Sequence, residues 1–293
     1  MAIVRKGLHI RLGKKAYLQI SFSRVLLYVF IIALLSFTAL PLIYVISTAF
    51  KPIDELLKFP PQFFVKRPTL SNFKDLILAA GSASVPFLRN VANSVFVVVA
   101  SVFSSVIVSS LGAYSVAKLD LPFKSQIMTL VVFAIAFPES LQAIPTYLIV
   151  KNLGMFNTYW ALILPALGSA FNFFMMKSFC QQIPTPLLEA ARIDGANELR
   201  IFVSIVFPFL APAWATLIVF CFMSVWNGGS GVTLYITDEA MRTLPYAINS
   251  IGGSLARQGA MAAANLFMLT PTIIIYTALQ SRVIETMAHS GIK

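Results

Sequence analysis

Residues able to do chemistry are few and scattered in this sequence. Glu139 is the only ionisable residue deep in an apolar run, where a carboxylate could relay a proton or pair with a cation. Cys180 and Cys221 stand in or beside apolar runs, and His9 and His289 lie near opposite ends of the chain. This spacing favours neither a disulfide framework nor a metal site. With no cluster of His, Cys or Asp, the chain also lacks the groups for a nucleophile and base.

Gly13 and Lys14 are the nearest approach to a phosphate-binding loop. A Walker A loop needs a glycine where Leu8 stands and a Ser or Thr where Lys15 stands, so the phosphate cradle is missing. We therefore expect no enzyme activity and no cofactor in this chain itself.

The composition is that of an integral membrane protein. Of 293 residues, 58% are hydrophobic and only 11% charged, whereas soluble domains carry roughly 25% charged residues. Several apolar runs approach the ~20 residues needed to cross hydrocarbon, and no stretch remains for a soluble catalytic domain. The formal charge of +11 then indicates anionic lipid and orientation rather than nucleic acid.

Six apolar runs predict six transmembrane helices and an all-α fold. They divide the chain into a tail (1–24), a membrane domain (25–279) and a second tail (280–293). The expected spans are 25–49, 91–117, 127–150, 158–176, 209–226 and 261–279.

Three features mark individual spans. Small residues recur every fourth position from Ser101 to Ala117, which predicts a helix face that another backbone can approach closely. Pro138 and Pro145 interrupt the third span, so we expect a broken helix that lines something. Asn172 lies among phenylalanines in the fourth span.

A charged, helix-coded segment separates the fourth and fifth spans. Thr185 and Pro186 predict the start of a short helix, and Gly195 predicts its end in a turn that needs a positive φ. Asn197 is suited to cap a second short helix that runs into Pro208. We name residues 181–207 the elbow and expect it to lie outside the bilayer.

The basic residues orient the chain. Lysine and arginine number 13 in the two tails, the turn after the second span and the loop 177–208 that contains the elbow, against 9 on the other side. By the positive-inside rule both termini and the elbow are expected in the cytoplasm.

The elbow resembles the EAA loop of permease subunits in ABC importers. Glu189, Ala190, Ala191, Gly195 and Pro208 fill that pattern. The resemblance implies the type I importer permease fold, with a coupling helix between the fourth and fifth spans that docks on a separate ATPase. The implied ATPase-coupling residues are Leu188, Glu189, Ala190, Ala191, Asp194 and Gly195. ATP and Mg would bind to that partner.

Further short patterns are similar to the carbohydrate-uptake, maltose-type branch of these permeases. They are Asn93-Ser94, Ile144-Pro145, Leu153-Gly154, Trp226-Asn227, Arg242-Thr243-Leu244-Pro245 and Gly291-Ile292-Lys293. The branch implies four partners: a second, different permease subunit, an ATPase dimer, a soluble substrate-binding protein and an oligosaccharide, in the bacterial inner membrane. The tail Gly291, Ile292 and Lys293 would contact the ATPase. Glu285 and Thr286 depart from the branch pattern.

Under the same resemblance, the sequence offers candidate residues for contact with the substrate and with the binding protein. Glu139 and Asn172 are the candidates for lining a sugar pathway, because hydroxyls need polar partners. Tyr235, Thr243, Leu244 and Tyr246 are the candidates for contact with the binding protein, since a loop would otherwise leave apolar side chains in water. Size and pattern are also similar to the smaller permease subunits of alginate-oligosaccharide importers, which implies an anionic sugar.

Two other readings stay open from the residues alone. An ion-coupled secondary transporter could use Glu139, although one acid is thin support. An importer permease for a substrate other than sugar would carry the same elbow.

Overall fold

The computed structural model describes residues 8–12, 16–20, 22–80, 85–228, 234–251 and 257–290. Within these, the side chains of 8–12, 16–20, 139–140 and 284–290 are not described. Two short antiparallel strands come first, β1 (Leu8–Leu12) and β2 (Ala16–Ile20), in a register that pairs Ile10 with Leu18. All further regular structure in the described residues is helical.

The helices follow in a simple order. They are α1 (Phe22–Ala49), α2 (Ile53–Leu56), α3 (Ser71–Ala80), α4 (Phe87–Lys118), α5 (Lys124–Ala136), α6 (Glu139–Asn152), α7 (Trp160–Leu167), α8 (Ala170–Gln181), α9 (Thr185–Ile193), α10 (Glu198–Ile201), α11 (Phe207–Phe209), α12 (Ala211–Asn227), α13 (Leu244–Asn249) and α14 (Gln258–Ser290). A π-helical turn, Phe202–Val206, joins α10 to α11, and a 3₁₀ turn, Glu239–Met241, precedes α13.

Three helices of the described chain, α1, α4 and α14, are long and apolar enough to cross a membrane alone. Three bent pairs pass the same test together, which raises the number of candidate spans to six if each pair is one crossing. The pairs are α5 with α6, bent by 117°, α7 with α8, bent by 42°, and Glu198–Phe209 with α12, bent by 76°.

Local chemistry explains where the pairs break. Pro138 precedes α6 with extended backbone, and a proline there forces the residue before it out of helical geometry. Gly168 ends α7, and Ser169 begins the next helix by accepting a hydrogen bond from the Asn172 N–H at 3.3 Å. The sequence predicts the first break but not the second. The last helix also continues beyond the expected end at residue 279, to Ser290.

Helix α4 is the unbroken element at the centre of the bundle. Its small residues Ser101, Ser105, Ser109 and Ala113 are at most 2% exposed, and α4 packs against α7, α8 and α12. The predicted small-residue face is therefore confirmed, since only small side chains allow such close backbone approach.

Two hydrophobic clusters of the described residues lie along α4, and α12 contributes to both of them. The elbow-end cluster joins α4, α8, the elbow and α12 around Leu188, Ile201 and Leu217. The loop-end cluster joins the last residues of α1 with α3, α13 and α14 around Leu244 and Ala263. Each end of α4 is thus fixed by a different set of elements.

Most of α1 is outside these clusters. Its apolar side chains are exposed from Phe22, at 81%, to Ile46, at 46%, and only Ser47, Thr48 and Ala49 are buried. Such a surface is suited to lipid or to another apolar helix.

Candidate functional site

The first helix of the elbow, α9, begins one residue earlier than the sequence predicts. Thr185 was expected as the N-cap, but it is helical, and Pro184 occupies the cap with no side-chain hydrogen bond. The cap is dispensable because Pro186, in the first turn, has no N–H to satisfy.

Gly195 ends α9 as predicted, with a φ of +80°. Its N–H bonds the Arg192 carbonyl at 3.0 Å, and the Ala196 N–H bonds the Ala191 carbonyl at 3.0 Å. This pair of bonds is a Schellman motif, which requires a left-handed residue where Gly195 stands. The expectation of a positive φ is confirmed.

The second arm of the elbow begins at Asn197. Its side-chain oxygen accepts from the Arg200 N–H at 2.9 Å, which confirms the predicted cap. The arm continues through the π-helical turn to Pro208, so the elbow is two helical arms joined by one glycine turn.

The elbow is anchored by buried side chains and presents others to the outside. Leu188 and Ile201 are each 1% exposed, in the elbow-end cluster. Leu188 therefore anchors α9, and direct contact of its side chain with a partner is not consistent with this burial. Ala191 packs against the same cluster.

The outward-facing part of the elbow combines carboxylates with apolar side chains. Glu189, Ala190 and Asp194 are exposed. Four large apolar side chains are exposed with them: Leu187 at 46%, Ile193 at 86%, Leu199 at 67% and Val203 at 56%. We call these seven residues the elbow face. Exposed apolar groups in such number indicate a contact site.

Glu198 links the two arms of the elbow to α4, a role that the sequence analysis missed. Its Oε1 accepts from Arg192 Nε at 2.8 Å, and its Oε2 accepts from the Tyr114 hydroxyl at 2.5 Å. These hydrogen bonds hold the pKa of Glu198 below its usual range, with Arg192 the larger cause. One turn further along α4, Lys118 Nζ donates to the carbonyls of Ile183 and Gln181.

A cavity of about 730 Å³ opens where the bent pairs α5–α6 and α7–α8 meet α12. Its wall combines phenylalanine rings with a few polar groups: Phe133, Phe137, Phe171, Phe220, Gln142, Ser169, Asn172 and Ser224. The size and the mixture of aromatic and polar groups are typical of ligand sites.

Asn172 lies in this wall, yet it is only 4% exposed. Its amide donates to Ser105 Oγ on α4 at 3.2 Å, so part of its polarity serves helix packing. Contact with a substrate stays a prediction. Glu139 begins α6 beside the cavity, but its side chain lies outside the described ones.

The loop before α13 folds back on the bundle. Tyr235, Thr243 and Leu244 are 6%, 5% and 0% exposed. The expectation that Tyr235 and Leu244 would be left in water without a partner protein is therefore wrong. The apolar side chains find partners in their own protein: Tyr235 packs with Tyr147 and Phe156, and Leu244 joins the loop-end cluster. Of the four candidates for contact with the binding protein, three are buried, and Tyr246 is partly exposed.

Asn157 holds the segment of this loop that stays exposed. Its Oδ1 accepts from the N–H groups of Thr237 and Asp238 at 3.2 and 2.9 Å. Leu234, Thr237 and Asp238 are exposed. The predicted tail contacts Gly291, Ile292 and Lys293 lie outside the described residues.

Solved structures share this fold. A chain from a bacterial ABC transporter involved in the import of the acidic polysaccharide alginate superposes with a TM-score of 0.75 at 22% identity, over 89% of this chain and 98% of that one. A chain from a bacterial alginate ABC transporter in complex with alginate pentasaccharide-bound periplasmic protein gives 0.60 at 16% identity, over 88% and 92%.

Sequence relatives are permeases too. The polygalacturonan/rhamnogalacturonan transport system permease protein YtcP of Bacillus subtilis is 32% identical over 87% of this chain and 92% of its own length. The sulfoquinovosyl glycerol transport system permease protein SmoH of Agrobacterium fabrum is 28% identical over 86% and 88%. The sn-glycerol-3-phosphate transport system permease protein UgpE of Shigella flexneri is 30% identical over 72% and 76%.

The family model described as "binding-protein-dependent transport system inner membrane component" matches residues 76–288, which contain the elbow, the cavity and the loop that folds back. With a match of that extent, this chain belongs to the family of inner membrane permease components of binding-protein-dependent ABC transporters.

Proposed function

We propose that this chain is the permease subunit of an ATP-driven, binding-protein-dependent importer of oligosaccharides. It forms half of the translocation pathway, binds no cofactor of its own, and couples through the elbow to an ATPase dimer that holds ATP and Mg. Family membership favours this function over an ion-coupled transporter that uses Glu139.

The observation that carries the proposal is the elbow itself. Two arms, fixed to the bundle by Leu188 and Ile201, leave Glu189, Asp194 and Ile193 exposed. A carboxylate there can meet a cation of the ATPase, and the apolar side chains can enter a cleft. We propose that the elbow face is the ATPase contact.

The cavity supports a heteromeric pathway. It opens at the surface of the single chain, between helices whose exposed faces are apolar, such as Phe133 at 67% and Leu130 at 68%. A second, different permease subunit would close it, and aromatic rings with Gln142, Ser169 and Asn172 would then face a sugar. The assignment of Glu139 and Asn172 to the pathway belongs to this proposal.

An anionic oligosaccharide is the proposed substrate class. The permeases similar to this chain are named for polygalacturonan and glycerol phosphate transport, and the structures for alginate, all of them acidic. The long loops of the proposed outer side, with Lys151, carry nine basic and five acidic residues, which would attract a polyanion.

The proposal also includes the membrane topology of the chain. The bent pairs α5–α6 and α7–α8 are each taken as one crossing and α12 as another, which with α1, α4 and α14 gives six spans within the membrane domain (25–279), between the N-terminal (1–24) and C-terminal (280–293) tails. In this proposal both termini and the elbow lie in the cytoplasm. The excess of lysine and arginine on that side supports this orientation. The binding protein would dock outside, on the exposed segment around Leu234, Thr237 and Asp238 that Asn157 holds. The tail Gly291–Lys293 would lie near the ATPase.

The test is reconstitution of the chain in liposomes with its partner permease, ATPase and binding protein. Glu189 is exposed, so Glu189→Ala should leave folding and assembly intact and abolish the stimulation of ATPase activity by substrate-loaded binding protein. Asp120→Ala is the matched control, because Asp120 is an exposed carboxylate in the turn after α4 and outside the elbow.

Two outcomes would overturn the proposal. Transport by this chain in liposomes without an ATPase would remove the ATP-driven mechanism. Wild-type stimulation in Glu189→Ala together with an unchanged response of Ile193→Asp would show that the ATPase binds elsewhere.

A further inference from the structure

Glu198 uses both oxygens of its carboxylate to join three elements. Oε1 takes the bond from Arg192 on α9, and Oε2 takes the bond from Tyr114 on α4, while Glu198 itself begins α10.

A purely local role does not account for this arrangement. A carboxylate in the first turn of a helix already gains from the helix dipole and needs neither Arg192 nor Tyr114. Net stability is also a weak explanation, because the side chains of Arg192 and Glu198 are 38% and 46% exposed, and exposed ion pairs contribute little.

Tyr114, in contrast, is held in place by the packing around it. Its side chain is 3% exposed, and its ring packs against Phe202 with centroids 5.8 Å apart. The hydroxyl can therefore hold the carboxylate in one position only. Lys118 lies one turn away on the same face of α4 and fixes the start of the elbow at Ile183 and Gln181.

The other described contacts of the elbow with the bundle are apolar, through Leu188, Ile201 and further elbow side chains of the elbow-end cluster. These contacts hold the elbow against the bundle but have no directional bonds, whereas hydrogen bonds also fix its orientation. We propose that Glu198 is a positioning residue that locks both arms of the elbow to the end of α4, so that the elbow and α4 move as one body. This inference rests on the proposed docking of the elbow to an ATPase.

The lock has a measurable consequence for coupling. If it holds, an elbow displaced by the ATPase carries α4 with it; without the lock, part of the displacement is lost in rotation of the elbow. Transport per ATP hydrolysed should therefore fall, while the amount of assembled complex and the ATPase activity without binding protein stay at wild-type levels.

The experiment compares variants that weaken the bonds of the Glu198 carboxylate: Tyr114→Phe removes the bond to α4, and Glu198→Gln removes the negative charge and one of the two acceptor oxygens. Tyr114→Phe and Glu198→Gln should each lower transport per ATP by about fivefold or more, the lower end of typical coupling between sites. The double variant should lose no more than the worse single variant, because both changes disrupt the same link between the elbow and α4. Arg192→Lys, which keeps a cation, should retain more coupling than Arg192→Ala.

Tyr159→Phe is the matched control. Its hydroxyl also bonds a side chain at one end of α4, Asn93 Oδ1 at 2.8 Å, but at the end remote from the elbow. Unchanged transport per ATP in Tyr114→Phe and Glu198→Gln, or an equal loss in Tyr159→Phe, would overturn the inference. If Glu189→Ala abolishes the stimulation of the ATPase while Tyr114→Phe and Glu198→Gln keep wild-type transport per ATP, only this inference fails. If Glu189→Ala and Ile193→Asp both leave the stimulation unchanged, the proposed ATPase contact itself fails.

Discussion

Ser94 Oγ accepts a hydrogen bond from the backbone N–H of Leu244 at 2.7 Å, although the two residues are 150 positions apart. Next to it, the Asn93 amide donates to the carbonyls of Ala240 and Arg242 at 2.8 and 2.9 Å. The segment before α13 thus finds its backbone partners on α4. Two short patterns that look independent in the sequence are the two sides of one buried contact.

Replacement of Ser94 by alanine should destabilise the protein by about 1 to 3 kcal/mol, because a buried N–H of Leu244 loses its acceptor. Thermal unfolding in detergent measures the effect. Ser101→Ala is the control: this hydroxyl is also buried on α4 but has no hydrogen-bond partner among the described residues, so its removal should cost much less. Equal losses in the two variants would contradict the prediction.

Gly195→Ala should cost about 1 kcal/mol of stability, because an L-residue at a φ of +80° is strained. An added Cβ meets nothing within 4 Å, so the effect comes from the backbone alone. Gly154 has a φ of +67° and the same open surroundings, outside the elbow.

Gly154→Ala therefore separates strain from coupling. Both alanine variants should lose similar stability, and only Gly195→Ala should weaken the stimulation of the ATPase. Gly195→Asn should lie between the wild type and Gly195→Ala, since Asn tolerates the left-handed region better than other side chains. Loss of stimulation in both alanine variants would assign the defect to strain alone.

Asn172→Ala should lower oligosaccharide uptake more than Ser105→Ala does. Either change breaks the Asn172–Ser105 hydrogen bond, but only Asn172 lies in the wall of the cavity. Uptake of labelled substrate, with ATPase activity recorded in parallel, measures the difference. Equal effects would mean that Asn172 serves packing only.

Glu139→Gln tests the other pathway candidate under the same conditions. With an anionic sugar as substrate, a negative charge in direct contact is unfavourable, so the variant should transport at least as fast as the wild type. A loss of uptake with unchanged ATPase activity would assign Glu139 a necessary role in the pathway.

Low pH should loosen the first long loop through Glu55. Its carboxylate accepts from the backbone N–H groups of Lys66 and Arg67 at 3.0 and 3.1 Å, and these bonds, Lys66 first, together with the Arg67 side chain hold its pKa below the usual range. A lowered folded-state pKa stabilises the fold above the unfolded value of about 4.3. That stabilisation is lost as the pH falls from there through the folded pKa.

The difference in melting temperature between the wild type and Glu55→Gln measures this contribution. It should be present at pH 7 and shrink below about pH 4, where the carboxylate becomes protonated. Asp75→Asn, which changes an exposed carboxylate on α3, is the control at pH 7, where the melting temperature should stay close to that of the wild type. A difference that stays constant with pH would contradict the prediction.

Sequence reasoning succeeded where the determining chemistry is local. Gly195 and Asn197 could be assigned because a left-handed turn and a side-chain cap depend on one residue and its neighbours. The break at Pro138 follows from the proline itself, and the small face of α4 from a four-residue period.

It failed where distant residues decide. The burial of Tyr235 and Leu244 depends on rings and helices far along the chain, and an apolar residue in a loop gives the same signal whether it meets water, a partner or its own bundle. Tyr114 and Glu198 are 84 positions apart, so their contact has no local signature. The available clue to this contact was a pair of polar residues, Tyr114 and Lys118, which lie one turn apart near the end of α4.

Helix α1 also bears on how the protein is made. Its backbone bonds are internal and its apolar side chains, from Phe22 to Ile46, need little from the rest of the fold. A segment of this kind can leave the ribosome and enter the bilayer as a stable unit before the later helices exist. Six basic residues precede it or lie at its start. In the proposed orientation, with that flank in the cytoplasm, they would set the direction of insertion for each hairpin synthesised afterwards.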